Sequence, residues 1–374
     1  MPHPTTHHSP ADEARDLALF HERIHGLLDQ VAHDFRTPLT VIKEFATLMG
    51  DGLVGDVGPR QHEFLDVIND RADDLTLVVD NVLDAGRSGA GLLRGWRRPT
   101  DVVQVVLGAR NSLARKMAVK KVRFDAAIAS NLPPVHADPD QLARVLMNLV
   151  AGVLKNFEEP EAVQLWTRDE SEPGRVGLGL SVEGGHIGPK RLAAVMAALD
   201  QTRPCDVWHA RGPAWPFALA RQLVDLHFGH IRFQHVRAGR TTFALSLPAA
   251  EPRCVLGAWQ RHVVTTGGES AEANLATVSM DSPARPAAIG VVDEFLQSSV
   301  GPNDLALHVE PHRWLLIVPG DEPSAERLVE RIESSWFELC RRRSGGLLPQ
   351  LTWTPLGRDD LSHGADALLA RSAW

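Results

Sequence analysis

The stretch Ala32-His33-Asp34-Phe35-Arg36-Thr37-Pro38-Leu39-Thr40 decides the fold of the N-terminal part of the chain. It lies in an apolar repeat with alternating spacings of four and three residues: Ile24, Leu28, Val31, Phe35, Pro38, Ile42, Phe45 and Met49. This heptad seam is typical of a long helix packed along its length in a bundle. His33 lies two residues after Val31, on the face away from the seam and beside Asp34. The pattern therefore predicts a solvent-facing histidine, which is either a reactive group or an ordinary surface residue, one of 17 histidines in the chain.

Two helices are predicted around this stretch. The first runs from about residue 12 to about residue 50, and Pro38 inside it is expected to kink the backbone one turn after His33. A glycine-rich connection leads to a second helix at about 59–87, whose seam has the same spacing: Leu65, Ile68, Ala72, Leu75, Val79 and Val82. Two antiparallel helices make only half a core, so we expect a homodimer that completes a four-helix bundle.

Composition limits the class of protein. The chain has 374 residues, enough for two or three domains, and its net charge of −8 argues against general nucleic-acid binding. Its three cysteines (Cys205, Cys254 and Cys340) lack the spacing of a disulfide framework or a zinc site, which favours the reducing cytoplasm. No apolar run is long enough to span a bilayer, and the N-terminus lacks the apolar stretch of a signal peptide. Residues 1–11 are polar and proline-rich, so we expect them to be disordered.

The rest of the chain predicts two mixed domains after the hairpin of residues 12–92. Residues 100–250 alternate helical and strand patterns, which is typical of helices packed on an antiparallel sheet. Within this domain, Asp138 followed by Pro139 is a typical start of a helix. A change of composition near residue 250 indicates a boundary, and residues 256–374 predict a small α/β sandwich. The predicted fold class is therefore multi-domain, with an α-helical hairpin, an α+β sandwich and a further α/β sandwich.

The stretch from His33 to Leu247 resembles the cytoplasmic core of bacterial two-component sensor histidine kinases. The segment His-Asp-Phe-Arg-Thr-Pro-Leu-Thr is close to the family's H-box, His-Glu-Leu-Arg-Thr-Pro-Leu-Thr. The resemblance implies that His33 accepts a phosphoryl group and that Asp34 acts as its base and orienter. Thr37 matches the position that helps to place a water for dephosphorylating a partner regulator, although an exposed helical threonine can also simply bond back to the backbone. Arg36 and Lys43 are either solvated charges or contacts for an acidic receiver domain.

The second domain resembles the ATP-binding domain of the same family, with altered motifs. Its N-box, at 148–155, keeps the first asparagine (Asn148) and the lysine (Lys155) as candidate ligands of ATP. The second asparagine, which holds Mg²⁺ in the family, is Gly152, and a glycine side chain offers the ion no oxygen. This substitution predicts an impaired magnesium–ATP site.

Two further nucleotide motifs also depart from the family pattern. The motif Asp-x-Gly-x-Gly aligns with residues 182–186, where Val182 replaces the aspartate that bonds adenine and Gly184 keeps the first glycine. Glu183 could replace the aspartate only with a shift of one residue, and a Gly-Gly pair is otherwise an ordinary turn. The glycine-rich lid aligns with residues 212–218, where two prolines remove N–H donors and Trp215 and Phe217 add bulk.

The C-terminal domain resembles GGDEF-type diguanylate cyclase domains over about 100 residues. The first strand would be 275–281 with Asp281 in place, and the signature hairpin would fall on 310–319. Neither glycine that lets GTP approach is present, and His312 and Arg313 replace the two acids, so the resemblance implies no cyclase activity. A generic α/β interaction domain explains this region equally well.

These observations give one leading function and one alternative. The leading hypothesis is a histidine-kinase-family protein of a two-component phosphorelay that acts as a pseudokinase, a phosphotransfer protein or a phosphatase. Its partner would be the receiver domain of a response regulator or another histidine kinase. The alternative is a non-catalytic scaffold that binds such a partner, with Trp208, Trp215 and Phe217 as apolar contact points unless they belong to the core.

Overall fold

The computed structural model describes residues 10–89, 93–200, 212–236, 239–267, 272–280, 286–320, 322–342, 348–360 and 364–372. The chain divides into two compact units, Met1–Leu93 and Arg94–Trp374. Most of the predicted disordered segment, 1–11, lies outside the described residues, as do Cys205, Trp208 and Asp281.

The first unit is a helical hairpin. Helix α1 spans Pro10–Gly50 and helix α2 spans Pro59–Gly89, which confirms both predicted helices to within a few residues. The proline at position 38 lies inside α1, as predicted. The connection begins with a backbone bond from the Asp51 N–H to the Thr47 carbonyl (2.8 Å), and Gly52 adopts a positive φ of 72°. A left-handed residue favours glycine, which explains why the chain turns at this point.

The core of the hairpin contains only part of the predicted seam, including Leu65, Ala72 and Val79. Its buried cluster consists of Ala32, Leu39, Val79 and Leu83, with Leu28 and Val31 packed against it. Several predicted seam members are exposed instead: Phe35, Ile42, Phe45 and Met49 on α1, and Ile68, Leu75 and Val82 on α2. The prediction missed Ala32 because an alanine contributes little to an apolar pattern. Its small side chain nevertheless lets the two helices approach closely. The apolar stripe is thus wider than one seam, and only part of it is buried within the hairpin.

The second unit begins with a five-stranded sheet and its helices. In chain order the elements are β1 (Arg98–Thr100), α3 (Val102–Val119), β2 (Arg123–Ala127), β3 (Val135–Ala137), α4 (Pro139–Asn156), β4 (Glu158–Asp169), β5 (Arg175–His186), α5 (Pro189–Leu199), α6 (Trp215–Leu226), β6 (His230–Val236) and β7 (Arg240–Pro248). The sheet order is β2-β4-β5-β7-β6. Strands β2 and β4 are parallel and the other neighbours are antiparallel. Strands β1 and β3 form a separate antiparallel pair.

Helix α4 shows how the sequence builds this region. The side chain of Asp138 accepts hydrogen bonds from the N–H groups of Asp140 (3.0 Å) and Gln141 (3.2 Å), and Pro139 occupies the first turn. This confirms the predicted helix start. One face of α4 is fully buried and packs against α3, α6 and the sheet: Leu142, Val145, Leu146, Leu149 and Val153. The helix α5 and the β1–β3 pair were not predicted, because they are short and lack a clear period.

The rest of the second unit is a four-stranded antiparallel sheet with its helices. The elements are α7 (Pro252–Gly267), β8 (Glu272–Met280), α8 (Pro286–Ser299), β9 (Leu305–Glu310), β10 (Arg313–Pro319), α9 (Glu322–Arg342), β11 (Leu351–Asp360) and α10 (Ala365–Ser372). The sheet order is β11-β8-β10-β9, so β8 to β11 form the βαββαβ arrangement called ferredoxin-like. The sequence pattern predicts strands at 275–280, 305–309, 314–318 and 351–354 and helices at 287–298 and 323–341, which correspond to β8–β11, α8 and α9. It does not predict α7 or α10.

Both faces of this sheet are buried. Helices α8 and α9 cover one face. The other face packs against Trp259 of α7 and Leu368 of α10, and the same cluster includes Phe228 from the end of α6. Residues from both sides of the boundary predicted near 250 therefore share one hydrophobic core.

Candidate functional sites

His33 lies on the exposed surface of α1. Its side chain is 76% exposed, while the neighbouring Ala32 is buried in the hairpin core. The Nδ1 atom of His33 is 3.5 Å from a carboxylate oxygen of Asp34, and the Asp34 side chain is 61% exposed. The same carboxylate accepts a hydrogen bond from the amide of Gln30 (2.8 Å). The imidazole is thus accessible on one side and has a proton acceptor beside its Nδ1 atom on the other.

The hydroxyl of Thr37 bonds back to its own helix. Its Oγ1 atom donates to the backbone carbonyl of His33 at 2.9 Å. This is the simpler of the two arrangements expected from the sequence, and it directs the hydroxyl hydrogen into the backbone. The oxygen still has lone pairs that can accept a hydrogen bond from a water or a partner.

Two ion pairs join the helices on either side of this surface. Arg36 binds Asp80 (2.6 and 3.0 Å), and Lys43 binds Asp73 (2.7 Å). The sequence left Arg36 and Lys43 as either solvated charges or receiver contacts, and in the structure each cation has an acidic partner on α2. Exposed pairs of this kind contribute only about 0.2–1 kcal/mol each, so their main effect is to fix the helices in register.

In the second unit, helix α4 carries the candidate nucleotide ligands. Asn148 is fully buried, whereas Lys155 is exposed. Asn156, which the sequence analysis did not select, is also buried, and its amide donates to the carbonyls of Gly152 (2.8 Å) and Pro213 (2.7 Å). The bond to Pro213 ties α4 to the segment just before α6. A lone asparagine after the N-box gave no signal in the sequence.

A phenylalanine ring lies where a side chain at position 152 would project. A Cβ atom built on Gly152 would be 2.6 Å from the nearest ring atom of Phe217, closer than real Cβ contacts allow. Phe217 is fully buried and stacks on Phe243, with ring centroids 5.0 Å apart and planes within 6°. Phe217 is therefore part of the core, and α6 approaches α4 closely because position 152 has no side chain.

The residues aligned with the adenine motif lie at the end of β5. Val182 is fully buried in the sheet. Glu183 is exposed and pairs with Arg123 of β2 at 3.1 Å. The Gly184 N–H donates to the carbonyl of Gly239 (2.9 Å), and both Gly184 and Gly185 have positive φ angles.

This glycine pair does not form a simple turn, which was the alternative expected from the sequence. Strand β5 continues through it, and the register with β4 shifts between Pro160 and Ala162. Glu161 is the extra residue of a β-bulge in β4, and Gly184 lies opposite this bulge.

A buried polar cluster lies at the opposite end of α4 and α6. His227 is completely buried; its Nδ1 atom donates to the Leu223 carbonyl (2.5 Å) and its Nε2 atom accepts from the Asp138 N–H (3.0 Å). Burial lowers the pKa of His227 to about 4, so the ring is neutral. Burial and the nearby positive charge of Arg97 also lower the pKa of His136 well below its usual value. This cluster joins the start of α4 to the end of α6.

Arg97 connects the two sheets of the second unit. Its guanidinium donates to the Leu226 carbonyl (3.0 Å) and to the side chain of Gln297 on α8 (3.4 Å), and it lies 4.4 Å from the ring centroid of Phe228. Burial lowers the pKa of Arg97 to about 10. The amide of Gln297 in turn donates to the Arg97 carbonyl (2.5 Å).

The segment aligned with the cyclase signature is a β-hairpin between β9 and β10. The Met280 N–H donates to the carbonyl of His312 at its tip (3.0 Å). Arg313 lies 3.6 Å from Glu310. Within the described ranges, no group of three or more histidine, cysteine, aspartate or glutamate side chains is arranged to hold a metal ion.

The helical hairpin thus carries an exposed histidine with an acid beside it. Residues 25–91 match the family described as His Kinase A (phospho-acceptor) domain. Among curated proteins, the chain is similar to the circadian input-output histidine kinase CikA of Synechococcus elongatus. The two sequences are 26% identical over 223 residues, which is 59% of this chain and 29% of CikA.

Two other curated relatives show the same extent of similarity. The histidine protein kinase DivJ of Caulobacter vibrioides is 25% identical over 228 residues (59% of this chain, 36% of DivJ). The adaptive-response sensory kinase SasA of Synechococcus sp. (strain JA-3-3Ab) is 22% identical over 237 residues (63% of this chain, 61% of SasA). The matched region thus spans less than two thirds of each of these relatives.

Solved structures of histidine kinases are also similar. Full-length ShkA in complex with AMPPNP is 20% identical with a TM-score of 0.41, covering 65% of this chain and 54% of ShkA. The histidine kinase AdeS of Acinetobacter baumannii is 16% identical with a TM-score of 0.37, covering 58% of this chain and 98% of AdeS. Among the described residues, no helix is both long enough and apolar enough to cross a membrane.

Proposed function

We propose that this chain is a dimeric phosphotransfer protein of two-component signalling whose own nucleotide site is impaired. In this proposal His33 receives a phosphoryl group from a partner, either a phosphorylated receiver domain or another histidine kinase, and passes it on. The observation that carries the proposal is the contrast between an exposed His33–Asp34 pair and a Phe217 ring packed against Gly152.

The geometry at His33 suits attack by one ring nitrogen. Asp34 lies beside Nδ1, so the Nδ1–H can be held by the carboxylate while Nε2 attacks phosphorus. With a receiver acyl phosphate as donor, the Nε2–P bond forms, the P–O bond breaks and the donor carboxylate leaves. Asp34 then stabilises the positive charge that the phosphorylated imidazole carries.

The residues at the nucleotide motifs do not fit magnesium–ATP. Position 152 offers no oxygen to an ion, and the space beside it is filled by a buried ring that would have to leave the core. Val182 has no group that could bond adenine, and Glu183 is paired with Arg123 on the surface. The Gly184 N–H is already used by Gly239. We therefore route no step of the proposed mechanism through ATP bound to this chain.

The exposed apolar face of the hairpin supports the homodimer. The exposed side chains are at least 39% accessible and lie on both helices: Leu27, Phe35, Ile42, Phe45, Leu48 and Met49 on α1, and Phe64, Ile68, Leu75 and Val82 on α2. Large exposed apolar side chains on both helices favour an interface, because monomers rarely expose large apolar patches. A second copy of the hairpin would complete a four-helix core.

A small phosphodonor tests His33 without knowledge of the partner. Labelled phosphoramidate can transfer its phosphoryl group to an imidazole nitrogen with release of ammonia. We expect acid-labile, base-stable label on the full chain and on His62→Ala, a matched exposed histidine on α2, but not on His33→Ala. Absence of label on the unmodified chain would refute the role of His33 as an acceptor.

Labelled ATP with Mg²⁺ tests the second half of the proposal. We expect no label on the protein, since the nucleotide residues do not fit. Label that disappears in His33→Ala would establish a working kinase and overturn the impaired site, while leaving the phosphoacceptor intact. Full signalling by His33→Ala in cells would instead support the non-catalytic scaffold.

A dephosphorylation assay examines the phosphatase role at Thr37. A phosphorylated receiver domain is incubated with the unmodified chain or with Thr37→Ala. Faster loss of the receiver's phosphoryl group with the unmodified chain only would support that role. Equal rates would exclude it.

A further inference from the structure

The four-stranded sheet has a cavity that the phosphotransfer chemistry does not use. It has a volume of about 410 Å³ and lies between the N-terminal half of α9 and the strands β8, β10 and β11. This volume is in the range of pockets that hold small organic ligands. Apolar side chains form its floor: Ala276, Leu316, Val318, Val329 and Trp353.

One wall of this cavity is a row of carboxylates. Glu322, Glu326, Glu330 and Glu333 all line it from α9, at spacings of four, four and three residues. Residues at these spacings lie on one face of a helix, and the row extends over about 16 Å at 1.5 Å per residue. Within the described part of the chain, the carboxylate of none of the four glutamates forms an ion pair or a hydrogen bond.

Nearby cations are directed elsewhere. The Arg327 guanidinium donates to the Pro323 carbonyl (3.0 Å) and that of Arg331 donates to the Ser299 carbonyl (3.4 Å). Arg358 on β11 pairs with Glu272 at 2.6 Å. Like charges at these helical spacings destabilise a helix. The row therefore costs stability in the free protein, and a bound cation would remove that cost.

We propose that this cavity binds an aliphatic polyamine, with the methylene segments on the apolar floor and the ammonium groups along the glutamate row. A single metal ion would use neither the apolar floor nor the length of the row. A chain of amines separated by methylenes matches both the apolar floor and the length of the glutamate row. The cavity then gives the protein an input site for a small cationic ligand, independent of the proposed phosphotransfer at His33.

A basic peptide is disfavoured by the edge of the sheet. Strand β11 is an edge strand beside the cavity, but Pro355 lacks an N–H and the β8 register shifts between Pro355 and Gly357. Both features interrupt the row of donors and acceptors that an added peptide strand would need.

Calorimetric titration of the full chain with putrescine, spermidine and spermine at physiological ionic strength tests the proposal. We expect saturable binding with one ligand per chain and increasing affinity with ligand charge and length. The double variant Glu326→Gln/Glu330→Gln should weaken binding at least tenfold, because it removes two charges from the row while keeping the side-chain shape. The matched control Glu294→Gln changes an exposed glutamate of α8 outside the cavity and should leave affinity unchanged.

A third variant separates this site from general attraction to an acidic protein. Val329→Trp fills part of the apolar floor at a half-buried position without changing charge, and it should also weaken spermidine binding. Three outcomes would overturn the proposal: no saturable binding of any of the three amines at millimolar concentration, equal affinity in the double variant, or equal binding of Mg²⁺. Binding of a lysine-rich peptide without binding of free amines would assign the surface to a protein partner instead.

Discussion

Two chemically identical substitutions test whether Phe217 occupies the space beside position 152. In a helix interior, alanine in place of glycine stabilises by about 1 kcal/mol, because glycine loses more backbone freedom on folding. Gly108 in α3 has no atom within 4 Å of the position that a Cβ would take, so Gly108→Ala should show this gain. In Gly152→Ala the same gain is offset by the ring atom at 2.6 Å.

The size of that offset follows from the surroundings of the ring. Phe217 is fully buried and stacked on Phe243, so it has little room to move away. Extra methyl groups in a well-packed core cost about 1–3 kcal/mol. We therefore expect the free energy of unfolding of Gly152→Ala to lie about 1–3 kcal/mol below that of Gly108→Ala.

Urea unfolding of the full chain, followed by tryptophan fluorescence, measures the difference. All nine tryptophans lie after residue 93, so the signal reports on the second unit, where both glycines are located. A smaller side chain at position 217 should remove the conflict. In a double-mutant cycle, Phe217→Leu should therefore recover most of the cost of Gly152→Ala. If Gly152→Ala is as stabilising as Gly108→Ala, the ring does not hold this position, and the proposal of an impaired nucleotide site loses its physical basis.

The other predictions concern charges. Arg97→Met should lower the stability of the second unit by about 2–4 kcal/mol in urea unfolding, because buried acceptors such as the Leu226 carbonyl lose their donor. The pKa of His227 is about 4 when folded and near 6.5 when unfolded, so its contribution is complete above pH 6.5 and is lost as the pH falls towards 4. Over that range, His227→Gln should reduce the slope of unfolding free energy against pH by about 1.4 kcal/mol per pH unit. Arg36→Ala removes an exposed pair with Asp80 and should cost no more than about 1 kcal/mol, seen as a small increase in hydrogen exchange of α1 amides.

The fold was predictable wherever one segment carried its own signal. The heptad spacing around Phe35 and the Asp138–Pro139 start each specify a helix without reference to the rest of the chain. The helices α7 and α10 were missed because their burial depends on elements formed elsewhere: Trp259 and Leu368 are buried in a cluster with residues of the four-stranded sheet. The seam of the hairpin was predicted only as one apolar stripe, because periodicity does not say which half of the stripe faces the other helix of the same chain.

In the candidate sites too, properties of a single helix were predictable from the sequence, whereas contacts between helices were not. The exposure of His33 followed from its position relative to the apolar repeat, since that is a property of one helix. The contact between Gly152 and Phe217 depends on how closely α4 and α6 pack, which no local pattern encodes. Comparison with the family motif predicted that position 152 lacks a side-chain oxygen, but the aromatic ring beside it is seen only in the packed structure.

The missing side-chain oxygen at position 152 and the Phe217 ring beside it differ in the number of substitutions needed to reverse them. If the glycine at position 152 were the only change at the proposed nucleotide site, one substitution could restore the missing side-chain oxygen. The ring of Phe217 makes the change a property of the core, because an asparagine at 152 would have to displace a buried side chain that also stacks on Phe243. Asn156 adds a second obstacle, since its amide already joins Gly152 to the segment before α6. Under the proposed function, a magnesium–ATP site would therefore need coordinated changes at positions 152 and 217, whereas the phosphotransfer proposed at His33 needs only a donor that can reach an exposed imidazole.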